Sequence, residues 1–174
     1  MKIEDNFLDQ DDFYELQTHM MGSDLAWFYK PNIDYTDDVE KFQFIHLFYG
    51  FLLSVSQNIM ILDPIINKIL PISLWRIKAN LLTKTPTIVE NEFHIDIADY
   101  DDENRKTIFP EKLKQLTTSI FYMNTNNGYT KFEDGTIVES VANRLVSFSA
   151  DTKHKGTSCT DEKTRVVINF NYFK

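Results

Sequence analysis

The sequence predicts an α+β domain in which amino-terminal helices support an antiparallel β-sandwich or jelly roll. Apolar residues recur at three- and four-residue steps through the first 72 residues, the spacing of one helix face. From residue 73 onward, short runs alternate polar and apolar residues between turn signals, the period of a half-buried strand. Phenylalanine and tyrosine, at 14 and 8 copies, add aromatic weight that suits pleated, packed surfaces.

The elements follow in order. Asp12-x-x-Glu15 has the form of a capping box, and Phe13, Leu16 and Met20 share one face of the helix it would open. A second start at Asp37-x-x-Glu40 leads into Val39, Phe42, Ile45, Phe48, Leu52 and Val55, a pattern that predicts one long amphipathic helix. Pro64 and Pro71 bracket a third helical piece over 65–70. Strands are expected over 75–81, with Arg76, Lys78 and Asn80 on one side, and over 89–97, which carries His94. Further strands are expected over 119–124, 129–132, 136–139, 144–148 and 164–173. Asn126-Asn127-Gly128 marks a turn, and Asp134-Gly135 is a strong hairpin signal.

A chain of 174 residues normally forms one domain with a full core. The expected layout is a single domain over 1–174, with 1–72 as helical support and 73–174 as the jelly-roll core. The net charge of -8 is concentrated at the start: residues 1–40 hold 11 acids against 2 lysines, and the remainder holds 15 acids and 16 bases. No broad basic surface is left to follow phosphates, which argues against nonspecific nucleic-acid binding, although a compact basic groove stays open. The lone Cys159 excludes an internal disulfide. The start Met1-Lys2-Ile3-Glu4-Asp5 turns acidic at once, unlike a signal peptide. The apolar stretch 44–55 is too short to span a bilayer. A cytoplasmic protein with no membrane association is the expectation.

Chemistry concentrates at His94-Ile95-Asp96 and His154. On a strand, residues two apart project to the same side, so His94 and Asp96 could meet one ion, with His154 brought in by the fold. Two imidazoles and one carboxylate form the donor set of a facial triad for Fe(II); zinc, nickel or manganese accept the same ligands. Taken alone, His-x-Asp is more often a surface pair or a satisfied core histidine. Arg165 adds weight: Arg165, Val167, Asn169 and Asn171 form one side of the last strand, and a buried arginine needs an anionic partner. Tyr122 could join Arg165 on the same carboxylate. His19 and His46 read as structural or solvent-facing, the run Asp99, Asp101, Asp102, Glu103 reads as a solvated loop, and Cys159 lacks a base for nucleophilic work.

On these residues, 94–173 resembles the catalytic core of the prolyl 4-hydroxylase-like 2-oxoglutarate, Fe(II)-dependent dioxygenases. The matching pieces are His94-x-Asp96, Ser119-Ile120-Phe121-Tyr122-Met123-Asn124, the hairpin between Gly128 and Gly135, His154, and the strand from Arg165 to Phe173. Asn6-Phe7-Leu8-Asp9 is similar to the amino-terminal part of small bacterial and phage members. The resemblance implies a double-stranded β-helix, with iron held by His94, Asp96 and His154. It implies that Arg165 and Tyr122 hold the distal carboxylate of 2-oxoglutarate, with Asn169 near the co-substrate and Asn80 lining the same pocket. Val167 departs from the Arg-x-Ser pattern of some related oxygenases. The implied reaction consumes O2 and 2-oxoglutarate, releases succinate and CO2, and hydroxylates an unactivated C–H bond. Asp96 favours hydroxylation over halogenation, where a small residue stands at that place. A prolyl side chain of a peptide is the family default substrate; free amino acids, sugars, lipids and nucleobases stay open. A monomer or homodimer in a bacterial or phage-infected host cytosol is implied. A noncatalytic jelly-roll or cupin-like metal- or ligand-binding protein is the alternative.

Overall fold

The computed structural model describes residues 1–33, 41–50, 52–97 and 110–174. The expected helix start at Asp37-x-x-Glu40 and the acidic run Asp99, Asp101, Asp102 and Glu103 lie outside them.

Two antiparallel sheets form the body. The larger joins β1 (Lys2–Glu4), β2 (Phe28–Lys30), β3 (Gln43–Gly50), β4 (Leu53–Ser54), β5 (Ser73–Thr83), β6 (Leu116–Tyr122), β9 (Arg144–Ser149) and β11 (Thr164–Phe173). Its order is β1-β9-β6-β11-β5-β3-β2, with β4 added on β3. The smaller sheet has the order β10-β7-β8, from β7 (Tyr129–Phe132), β8 (Ile137–Glu139) and β10 (His154–Gly156). Bridges Glu90↔Thr157 and His94↔His154 attach the 90–94 segment to the outer edge of β10. The result is a jelly roll of two facing sheets.

Register sorts the side chains by face, because Cα partners across a ladder project to the same side. Leu82, Asn80, Lys78 and Arg76 of β5 stand opposite Arg165, Val167, Asn169 and Asn171 of β11. Val167, Asn169 and Asn171 stand opposite Tyr122, Ile120 and Thr118 of β6. This inner face looks toward the smaller sheet. On the outer face, Ile77, Ala79, Phe121, Ile168 and Phe170 join one core cluster with Phe13, Leu16, Met20, Ile65 and Ile69. The last five come from α1 (Gln10–Met21) and α2 (Asp63–Ile69).

The first helix obeys its apolar spacing, but its start differs from the expected capping box. Asp9 is the N-cap and makes no side-chain cap, while Asp11 and Asp12 sit in the first turn, where their charge complements the helix dipole. Pro64 opens α2, and Leu70 closes it in the left-handed region at φ 50° before Pro71.

The long helix expected from Val39 to Val55 is absent among the described residues: Gln43–Gly50 is strand β3. Both of its sides carry aromatic or aliphatic residues. Phe48 enters the outer core, while Ile45 and Leu47 face inward opposite Asn80 and Lys78. A strand covered on both faces reads as a continuous apolar run, and such a run also satisfies a helical template. Residues 1–72 are therefore not a purely helical layer, since they supply β1 to β4. The strand expected over 89–97 is reduced to two isolated bridges, whereas β7 and β11 match expectation at both ends. No helix of the described residues is long and apolar enough to cross a membrane.

Candidate metal and ligand site

His94 and His154 are brought together by backbone pairing. Each donates its N–H to the other's carbonyl at 3.0 Å, and their rings lie 5.0 Å apart. Two residues after His94, Asp96 turns its carboxylate toward the same point. One ligand atom from each of His94, Asp96 and His154 lies within 4.8 Å of the others.

The imidazoles are oriented for coordination. His94 Nδ1 lies 3.0 Å from the Glu92 carbonyl and His154 Nδ1 lies 3.1 Å from the Thr152 carbonyl. A carbonyl only accepts, so each Nδ1 carries the proton and each Nε2 of a neutral ring presents a lone pair. Those Nε2 atoms approach Asp96 Oδ1 at 4.0 and 3.9 Å. That is too long for a hydrogen bond, yet metal–ligand bonds of ~2.0–2.2 Å allow donors up to about 4 Å apart. The donor set and its carbonyl-fixed tautomers therefore fit a divalent metal of the Fe(II) type. Phe148 packs edge-on to the His154 ring at 4.9 Å and limits its rotation.

Asp96 is anchored more fully than sequence suggested. Asn169 Nδ2 donates to both carboxylate oxygens at 3.1 Å, and Asn171 Nδ2 donates to Oδ2 at 3.2 Å. Arg76 Nη2 lies 3.4 Å from Oδ1. Burial pushes the Asp96 carboxyl up, but Arg76, the two histidines and Lys78 outweigh it and hold it well below the usual carboxylate range. The group is anionic at neutral pH.

Arg165 occupies the other end. It is buried on β11, where Nε donates to Ser140 Oγ at 2.8 Å and Nη2 to Thr130 Oγ1 at 3.2 Å. Burial lowers its pKa, with Tyr122 and Cys159 opposing. Among the described residues no carboxylate pairs with it. Gly128 makes room for it: a Cβ there would lie 2.7 Å from Arg165 Cδ. The Tyr122 ring lies beneath the guanidinium, 5.7 Å from centroid to Cζ, while its hydroxyl donates to Thr130 Oγ1 at 2.8 Å. Tyr122 therefore sits behind Thr130 and does not line the pocket.

One pocket, about 520 Å³ including the space open to solvent at its mouth, holds both ends, lined by His94, Asp96, His154, Thr130, Arg165 and Asn169 among others. Asn80 and Lys78 line it too, from β5. Asn169 Oδ1 is buried without a hydrogen-bond partner, an acceptor left for a ligand. The residues that sequence reasoning missed divide into two kinds. Lys78, Arg76 and Asn171 were legible as polar files on β5 and β11, whereas Thr130 and Ser140 are ordinary residues on no marked pattern. His46 is structural, held by the Ala26 carbonyl and Ser56 Oγ, both at 2.7 Å. Burial, first among its influences, raises the Cys159 pKa, which suits an inert thiol.

Solved structures share this architecture. A prolyl hydroxylase from Trichoplax adhaerens, in complex with a hypoxia inducible factor oxygen degradation domain peptide fragment, matches with a TM-score of 0.63. The identity is 14%, over 99% of this chain and 82% of that one. HygX from Streptomyces hygroscopicus, with nickel and 2-oxoglutarate bound, gives 0.63 at 9% identity, covering 98% of this chain and 81% of that one. A 2OG-Fe(II) oxygenase family oxidoreductase from Burkholderia pseudomallei gives 0.58 at 10% identity, covering 93% and 77%. At these identities the likeness establishes the fold, which is that of the 2-oxoglutarate, Fe(II) oxygenases. No protein-family model matches the sequence, and no curated protein matches it.

Proposed function

We propose that the whole chain is a single cytoplasmic oxygenase domain that uses Fe(II), O2 and 2-oxoglutarate to hydroxylate an unactivated C–H bond, releasing succinate and CO2. The observation that carries this reading is one pocket with a His-Asp-His triad at one end and a buried arginine, without a carboxylate partner among the described residues, at the other. A linear dicarboxylate that meets a metal at one end has a second carboxylate to offer such an arginine.

His94, Asp96 and His154 would hold the metal, and iron with 2-oxoglutarate would supply O2 activation and the oxidising power. The chain's own residues do the rest. Arg165 offers the distal carboxylate a guanidinium fork already oriented by Ser140 and Thr130. Tyr122 fixes the Thr130 hydroxyl from behind, a supporting place rather than a direct clamp. Ile33, Leu82, Ile120 and Val167 form the apolar part of the wall and exclude water from the reacting end. Asn169 and Asn171 hold the Asp96 carboxylate in position, and Asn169 presents a spare carbonyl oxygen to the pocket. Asn80 lines the wall beside them.

Succinate formation tests the reading. The Fe(II)-loaded protein is expected to convert 2-oxoglutarate to succinate, and His154→Ala or Asp96→Ala should abolish conversion. Undiminished turnover in both variants would remove the iron assignment. Metal binding without any succinate would leave a noncatalytic jelly-roll binding protein.

A further inference from the structure

The arginine end of the pocket gathers donors that lack acceptors. Arg165 is 3% exposed and spends Nε on Ser140 and Nη2 on Thr130, which leaves Nη1 without a bond to the described residues. Thr130 Oγ1 accepts from both Arg165 and the Tyr122 hydroxyl. A hydroxyl has two lone pairs and one proton. Both lone pairs of Thr130 are taken, so its proton is what it has left to offer, and the residue lines the pocket.

Asn91 adds a further donor. The bridge between Glu90 and Thr157 ties this segment to β10, and the Asn91 backbone N–H donates to the Gly156 carbonyl at 3.0 Å. Asn91 is 5% exposed and lines the same pocket, yet its side chain hydrogen-bonds to none of the described residues. Glu90 and Lys155, the chain neighbours of Asn91 and Gly156, engage each other at 2.7 Å instead.

Gly156 holds a gap open between the two donors. A Cβ built on it would lie 3.4 Å from Arg165 Nη1 and 3.9 Å from Asn91 Nδ2. One small group standing over Gly156 is therefore close to both nitrogens. The backbone does not need glycine there, since Gly135 alone among the described glycines has a positive φ. What glycine supplies at 156 is space.

We propose that Asn91 donates to the distal carboxylate of 2-oxoglutarate, seated in the gap that Gly156 leaves beside Arg165. The assignment rests on the oxygenase reading above. A carboxylate has about four lone-pair sites, and burying it costs free energy unless they are filled. Arg165 Nη1, the Thr130 hydroxyl and the Asn91 amide offer donors alone. The sole carboxylate among the described lining residues, Asp96, lies at the triad end. A keto acid ending in a methyl group would leave these donors buried and unpaired, so Asn91 sets co-substrate selectivity.

Calorimetric titration of the Mn(II)-loaded protein under nitrogen tests this, with 2-oxoglutarate and 2-oxopentanoate, its analogue ending in a methyl group, as probes. Wild type is expected to prefer 2-oxoglutarate. Asn91→Leu, similar in size but without a donor, should weaken 2-oxoglutarate binding roughly tenfold or more and leave 2-oxopentanoate unchanged. Gly156→Ala should give the same selective loss, because its methyl group fills the gap at ordinary contact distances. That variant decides should Asn91→Leu fail to fold. Equal losses for both keto acids in Asn91→Leu would mark a structural role and overturn the assignment, as would full 2-oxoglutarate affinity in Gly156→Ala. Wild type that prefers 2-oxoglutarate, with both variants unchanged, sinks Asn91 alone. Wild type that binds neither keto acid sinks the oxygenase reading with it.

Discussion

Asn171 illustrates how one side chain can serve three partners. Its amide accepts from Arg76 Nε and donates to both Asp96 Oδ2 and Thr118 Oγ1. The amide orientation is dictated, because its oxygen faces a cation and its nitrogen faces a carboxylate. Side chains that hold a metal-binding carboxylate in place typically contribute 10–100-fold in metal affinity. Asn171→Ala is therefore expected to weaken Fe(II) or Mn(II) binding by roughly 10–100-fold, read by metal titration under nitrogen. Unchanged affinity would show that Asn169 and Arg76 suffice to position Asp96. Arg165 yields a second expectation. Arg165→Ala should raise the 2-oxoglutarate requirement with metal affinity intact, because the two anchors sit at opposite ends of the pocket; an unchanged requirement removes its role. The pocket's cations, Lys78 and Arg165, were readable as members of alternating files on β5 and β11. The partners of Arg165 were not, because Thr130 and Ser140 reach it only through the fold of the smaller sheet.

Segments that lack regular structure are held by specific side chains. The 90–94 segment adds only two bridges to β10, but Glu90 binds it in place. Its carboxylate pairs with Lys155 at 2.7 Å and Lys131 at 3.4 Å, and accepts from the Tyr129 hydroxyl at 2.7 Å. Lys155 and Tyr129, with burial opposing, pull the Glu90 pKa from 4.5 down to about 2. A depressed carboxylate stabilises the fold above its unfolded pKa, and that contribution fades as pH falls from 4.5 toward 2. Because Glu90 is partly solvated, the contribution is about 0.2–1 kcal/mol. Glu90→Gln should lower the urea midpoint at pH 6, with the gap narrowing below pH 4.5 and closing only near pH 2; a gap that widened in acid would refute this ion-pair account. The same segment shows why sequence misled: 89–97 alternates like a strand, yet ion pairs rather than a ladder secure it. The opposite error arose at β3, where Phe48 packs outward and Leu47 inward. Asn143 gives the amino-terminal case. At φ 61° it donates to the Leu8 carbonyl and accepts from the Leu8 amide, both at 2.8 Å. Asn143→Ala should cost about 1–3 kcal/mol by denaturant unfolding, through lost buried bonds and backbone strain. Asn143→Gly, which relieves the strain alone, should recover only part.

The two sheets differ in how firmly they are anchored. Among the described residues, nineteen buried side chains form the outer cluster that joins the large sheet to the helices, while seven form the cluster between the sheets. Regions with fewer buried apolar contacts open at lower free energy, so β7, β8 and β10 should exchange amide hydrogens faster than β5, β6 and β11. The site straddles that weaker seam: His154 and Thr130 belong to the smaller sheet, and Arg165, Asn169 and Asn171 to the larger. A ligand bound to both sides stabilises the assembled state by RT ln(1 + [L]/Kd), about 2.7 kcal/mol at a hundredfold excess over Kd. Each kcal/mol moves the melting temperature of a chain this size by roughly 2–4 °C. Fe(II) with 2-oxoglutarate under nitrogen should therefore raise the Tm of wild type by several degrees and slow exchange in β7, β8 and β10. In Arg165→Ala the shift from metal alone should survive while the added shift from 2-oxoglutarate disappears; in His154→Ala both should vanish. Slowed exchange confined to the large sheet would mean that the ligand does not bridge the two sheets, and that the triad and the arginine serve separate ligands.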